Sequence, residues 1–317
     1  MITFPFDLTI DKDAPKIFIA HRDHIMYRSI SNRDDQREFN AWATSDSIAG
    51  MRHIAMLEIY FGIMLVVSVT EEGKYIIQRS IDYKKYSVVH THDVPIDRLI
   101  QTGMGNAVFH AIDGWWITTD SGATWALLTA NSPDIASCIW IGNISNTDNN
   151  VLIAYGKDHK IYNLDYLNSD EWILQLDTNF WTGKWYPAIA GSQLGILAGA
   201  GKYLLHSDFF GNYSSWRTKA QVNGIIKNIA ISNESLIPVF LITVEQSSNS
   251  EQNKFYWTYD LGDSLIPDIN RIDPMVAVES VIPTSDNIDE TIFVASGRRT
   301  NQALNEFNYH VTTIRGP

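Results

Sequence analysis

The sequence predicts an all-β chain folded as a β-propeller of about seven four-stranded antiparallel blades, with the ring closed by the N-terminal strand. Three observations lead there. Short runs of Val, Ile, Thr, Tyr, Phe and Trp recur between polar loops along all 317 residues, and long amphipathic helical patterns are hard to find. An aromatic-led strand ending in a Ser/Thr/Asn-x-Asp turn returns at a period of roughly 40 to 55 residues, the length of one four-stranded blade. The last unit stops at that turn, which leaves an outer strand to be supplied from elsewhere.

The expected division is one domain, 1–317, with a closing strand at 1–10 and blades at 11–45, 46–93, 94–131, 132–178, 179–220, 221–270 and 271–317. In "MITFPF", Ile2, Phe4 and Phe6 alternate onto one face, as a closing strand requires. A faint first turn lies near Ser31, with Trp42 closing it. The apolar run "IAMLEIYFGIMLVVSV" is broken by Glu58 and Gly62 and is too short for a membrane span, so it reads as two buried strands around a turn. Weaker copies of the turn follow at Ser80-x-Asp82, at Asn163-x-Asp165 with Trp172, and at His206-x-Asp208 with Trp216. The best copy is Thr118-x-Asp120-x-Gly122-x-Thr124-Trp125. Its spacing returns as Thr258-x-Asp260-x-Gly262-x-Ser264, with Leu265 where the Trp stood. In the last copy, "NYHVTTIRGP" lies over "GWWITTDSGA", placing Gly316 on Gly122.

The TxDxGxTW pattern resembles the Asp-box, or BNR, repeat, and a ring of such blades looks like the sialidase-like propeller superfamily. The resemblance implies that the box is a structural turn between the third and fourth strands, at the rim and away from the ligand face. Local physics agrees: an Asp in a hairpin turn accepts backbone N–H groups, Gly122 permits a positive φ, and Trp125 buries a large surface. Thr118, Asp120, Gly122, Trp125, Asp260 and Gly262 are therefore expected to hold the fold. The superfamily spans sialidases, xyloglucan-cleaving glycosidases, sortilin-like receptors and photosystem assembly factors, so fold alone does not choose a function.

If these turns mark one face, the loops joining second to third strands and those joining successive blades mark the other. Candidate partner or ligand residues there are Arg22, His24, Asp113, Trp115, His159, Trp181, Trp185, Arg271, Arg298 and Arg299. Guanidinium groups, imidazoles, a carboxylate and aromatic plates suit an irregular protein surface or a sugar. Ordinary solvated loop is the competing reading.

A net charge of −12 with no basic run argues against a nucleic-acid partner. Cys138 is alone, and the N-terminus lacks a cationic start and a small-residue cleavage site, so a cytoplasmic or virion location is expected. His90 and His92 with Asp93 fall short of a metal ligand set, and Asn146 to Asn150 reads as a hairpin turn, so neither a metal nor a cofactor is expected. A sialidase-like site would need an arginine cluster and a Tyr nucleophile paired with Glu, yet no FRIP-type segment accompanies the first blade. No catalytic residue is assigned. The expected function is a non-enzymatic structural or recognition module in a protein assembly, such as a phage tail or adsorption component. The alternative is a glycan-binding or glycoside-cleaving propeller, motivated by Trp115, Trp181 and Trp185.

Overall fold

The computed structural model describes residues 8–11, 16–21, 24–29, 43–57, 63–103, 105–143, 146–166, 168–208, 211, 215–232, 238–246, 249–267, 277–283, 292–301 and 306–315. They fall into two compact units, Met1–Ser132 and Pro133–Pro317.

In the first unit, one sheet is β1 (Leu8–Asp11), β2 (Lys16–His21), β3 (His24–Ser29) and β4 (Ala43–Thr44). The next is β5 (Met51–Leu57), β6 (Ile63–Val69), β7 (Tyr75–Ser80) and β8 (Ser87–His92), followed by β9 (Ile96–Gly103), β10 (Asn106–Ala111), β11 (Gly114–Thr118) and β12 (Ala126–Thr129). The second unit begins with β13 (Ile135–Asn143), β14 (Asn146–Gly156), β15 (Lys160–Asp165) and β16 (Ile173–Asp177), then β17 (Ile189–Ser192), β18 (Gly195–Ala200), β19 (Tyr203–Ser207) and β20 (Arg217–Gln221). It continues with β21 (Ile225–Ser232), β22 (Val239–Gln246), β23 (Asn249–Thr258) and β24 (Ile266–Pro267), and ends with β25 (Ala277–Pro283), β26 (Ile292–Asn301) and β27 (Glu306–Arg315). Every sheet is an antiparallel meander in chain order.

In β6 and β22 the second strand of a sheet is buried on both faces, which explains its near-continuous apolar sequence. Met64, Leu65, Val66 and Val67 of β6 are all fully buried. Side chains alternate across a strand, so Leu65 and Val67 join Ile96, Ala107 and Phe109 of the next sheet, while Met64 and Val66 face the core of Ile25 and Met51. In β22, Phe240, Ile242 and Val244 meet Leu197 and Leu204, while Val239 and Leu241 face Trp257. At about 1.5 to 3 kcal/mol per buried side chain, this face-to-face packing is the main stabilising contribution. Fourth strands are the exposed ones: Val88, Leu127, Ile173 and Ile266 stand largely in solvent.

First strands carry a recurrent bulge. Pairing skips Arg52 in β5, Asp97 in β9, Ala136 in β13, Lys227 in β21 and Glu279 in β25. A bulge re-aims the side chain it carries. Asp97 thereby reaches His110 Nδ1 at 2.6 Å, His110 Nε2 lies 3.2 Å from Ser132 Oγ, and Trp115 Nε1 donates to that hydroxyl at 3.0 Å. This network ties three strands of one sheet to the chain leaving it.

Three expectations are corrected. Five four-stranded sheets, from β5 through β24, are described down to their side chains, where seven complete blades were expected. The β1–β4 sheet is described almost entirely by backbone pairing, and β25–β27 has three strands with no described strand added to it. Leu8 to Ile10, expected in the closing strand, instead form β1 and pair with Ile17 to Ile19 of β2. Met1 to Asp7, including Ile2, Phe4 and Phe6, lie outside the described residues, as do Ser31, Trp42 and Gly316. Asn146 to Asn150 are no turn but the start of β14, with Asn146 opposite Asn143.

Candidate functional site

Both well-formed Asp turns close by the same hydrogen bonds. The Thr118 hydroxyl donates to Asp120 Oδ1 at 2.8 Å and accepts the Gly122 N–H at 3.0 Å. Asp120 also accepts the Thr124 N–H and hydroxyl at 2.8 and 2.7 Å. In the second turn the Thr258 hydroxyl donates to Asp260 at 2.8 Å and accepts the Gly262 N–H at 2.9 Å, and Ser264 N–H donates to Asp260 at 2.8 Å. Ser121 and Gly122, like Leu261 and Gly262, take positive φ. A Cβ on Gly122 would meet Leu65 of the preceding sheet at 2.6 Å, and one on Gly262 would meet Leu204 at 2.8 Å. A cation of that preceding sheet grips each turn: Arg79 Nε donates to Ser121 O at 2.8 Å, and Lys219 Nζ lies 2.6 Å from Asp263. Trp125 is half-buried in the shared core. The Thr124 hydroxyl and N–H hold the Asp120 carboxyl down to about 2.

In the second unit, the opposite sheet ends gather a different set. The β16 to β17 connection brings Trp181, Lys184, Trp185 and Tyr186; the β18–β19 hairpin brings Gly201 and Lys202, and β22 brings Glu245, next to its terminal Gln246. The Trp181 indole lies against Gly201, whose φ is +61° and whose added Cβ would stand 2.0 Å from the ring. Trp181 Nε1 donates to Lys184 O at 2.9 Å, so the half-exposed indole is fixed at both edges. Lys202 Nζ sits 5.9 Å from the Trp181 ring centre and 5.4 Å from that of Tyr203, within cation–π reach. Glu245, nearly buried, accepts Lys184 Nζ and Tyr186 OH, both at 2.5 Å. Burial pushes the Glu245 carboxyl up, but those two donors outweigh it and hold it below the usual range. Burial and the Glu245 carboxylate raise the Tyr186 phenol, and the same carboxylate raises Lys184. The bulged Lys227 stands over Tyr186 at 5.8 Å. Beside Trp181 and Lys202 a cavity of about 540 Å³ opens, floored by Gln221 to Ile225.

Of the expected recognition residues, the fold brings three together here. His159 stacks on Trp185 with ring centres 4.3 Å apart, and Trp181 precedes Trp185 in the same connection. Asp113 and His24 lie in the other unit, where Asp113 accepts His92 Nε2 at 3.0 Å and His24 Nδ1 is 3.2 Å from Ser45 O. Two expectations are corrected. Trp115 is fully buried with its N–H spent on Ser132, because both faces of β11 are covered at that end, so it offers no plate to a ligand. Arg298 and Arg299 are not in a loop: the β26–β27 register runs unbroken and pairs them with Tyr309 and Asn308. Arg22 and Arg271 lie outside the described residues. Sequence reasoning passed over Lys184, Tyr186, Lys227 and Glu245, for which no local pattern existed. Among the described residues no group of His, Cys, Asp and Glu is arranged to hold a metal, and no helix is long and apolar enough to cross a membrane.

No protein-family model matches the chain, nor does any curated protein sequence. Solved structures do. YCF48 bound to a D1 peptide superposes with a TM-score of 0.61 at 12% identity, over 92% of this chain and 90% of that one. A chain of the mitotic checkpoint complex gives 0.60 at 10% identity, over 96% and 85%. The GH74 xyloglucanase from Xanthomonas campestris gives 0.60 at 12% identity, over 96% of this chain and 54% of the enzyme, so this chain spans about half the enzyme's length. YCF48 and the xyloglucanase are β-propeller proteins, and the fold of this chain is that of a β-propeller.

Proposed function

We propose that the chain is a non-enzymatic recognition module that binds a protein partner through the loop ends of its second unit. The observation that carries this reading is Trp181, a large half-exposed indole held in place by Gly201 and the Lys184 carbonyl beside an open cavity. Exposed, immobilised aromatic side chains flanked by cations are the type of group that dominates protein recognition. One solved neighbour holds a peptide and another belongs to a multiprotein complex, which supports the reading by fold analogy alone. In this proposal the Asp120 and Asp260 turns are Asp-box repeats with a purely structural role, and the chain is one propeller domain.

A glycan reading keeps one specific observation, since Trp181 beside Lys202 would also seat a charged sugar. Parallel peptide and glycan arrays, with a fluorogenic glycoside panel, separate the two. Peptide retention that Trp181→Ala abolishes, with no glycan retained and no glycoside cleaved, is the expected outcome. Glycan retention or cleavage without peptide binding rejects the proposal.

A further inference from the structure

The cavity beside Trp181 has a charge character of its own. Lys184 is paired to Glu245, but among the described residues no carboxylate lies within ion-pair distance of Lys202, whose ammonium rests over Trp181 and Tyr203 instead. Lys184 and Lys202 thus stand beside one carboxylate, Glu245, which Lys184 contacts and Lys202 does not. The neighbouring Asp158 is engaged by Lys160 and the Tyr162 hydroxyl. A cationic patch on a chain of net charge −12 selects its partner by sign. The space, about 540 Å³, accommodates a few side chains of an extended segment, and its floor exposes Gln221 and Asn223 for hydrogen bonding. The geometry also separates two roles: Lys202 presents its charge at the rim, while Trp181, immobilised by Gly201, presents an apolar face beside it.

We infer that this cavity takes an acidic extended segment of the protein partner, a carboxylate pairing with Lys202 and an adjacent side chain lying on the Trp181 indole. The inference rests on the recognition reading above and adds the chemistry of the partner. A random dodecapeptide library displayed on phage, panned on the whole chain and counter-selected on Trp181→Ala, tests both at once. Enriched peptides are then synthesised with each Asp and Glu replaced by Asn and Gln, and titrated by fluorescence polarisation. The expected result is an acidic consensus whose neutralised version binds about tenfold or more weakly. Lys202→Gln should lose a similar factor, while Lys202→Arg retains binding and Lys84→Gln changes nothing. Melting temperatures close to that of the unmodified chain must accompany these losses. Enriched peptides that are neutral or basic, yet still lost on Trp181→Ala, overturn the acidic inference and leave the recognition reading standing. Failure to enrich any peptide, or saturable binding of sialyllactose in place of peptides, overturns both.

Discussion

Asp120 shows how much of a turn a single carboxylate can hold. Its two oxygens hold the seven residues Thr118 to Thr124 in a turn, and every donor it uses lies within four positions in sequence. That locality made the turn readable in advance: spacing alone places Thr118, Gly122 and Thr124 around it. Removing the carboxylate in Asp120→Ala gives up its hydrogen bonds to Thr118 and Thr124 and should cost about 1 to 2 kcal/mol, read as a melting temperature lower by about 2 to 5 °C. Its folded pKa of about 2 is depressed below an unfolded value near 3.9, so the ionised turn contributes stability that is complete above the unfolded pKa and lost as pH falls through the folded one. Acid titration of stability between about pH 4 and 2 should accordingly be shallower in Asp120→Asn. His206 gives a second, higher window. It is fully buried with neither ring nitrogen in a hydrogen bond, and burial lowers its pKa despite Asp208 at 3.3 Å. A neutral buried imidazole stabilises fully above its unfolded pKa, near 6.5, and that contribution is lost as pH falls through the lowered value. His206→Leu should lose less stability than the unmodified chain between pH 7 and 5, measured by urea denaturation.

At the scale of elements, strand identity was legible because second strands buried on both faces cannot hide their apolar runs. Which aromatic would be exposed was not. Trp115 sits between exposed Asp113 and half-buried Trp116, and only the covering of β11 on both faces explains why it is the buried one. The first-strand bulges were equally invisible, since Arg52, Asp97, Ala136, Lys227 and Glu279 share no chemistry; they share a position in the ladder. The Trp181 end of the second unit fails to announce itself for a related reason. Lys184 and Glu245 meet across 61 positions, a distance that only the stacking of two sheets closes. Gly201 is the hinge of this arrangement, because its positive φ and missing Cβ admit the Trp181 ring. Gly201→Ala should displace that indole, shift tryptophan emission and weaken peptide binding, at a backbone cost of about 1 kcal/mol. An unchanged emission spectrum with unchanged binding would mean that Trp181 is not held by this contact.

At the largest scale, the Asp120 and Asp260 turns each grip the sheet before them, and in the second unit a separate set of loops gathers at Trp181 and Lys202. The division of labour is tested most directly by measuring melting temperature and peptide affinity on the same preparations of Asp120→Ala and Trp181→Ala. The account predicts that Asp120→Ala melts lower yet binds with unchanged affinity, and that Trp181→Ala melts close to the unmodified chain yet binds at least tenfold more weakly. Asp120→Ala that melts normally but no longer binds would contradict it, placing recognition at the turns and leaving the Trp181 end as scaffold.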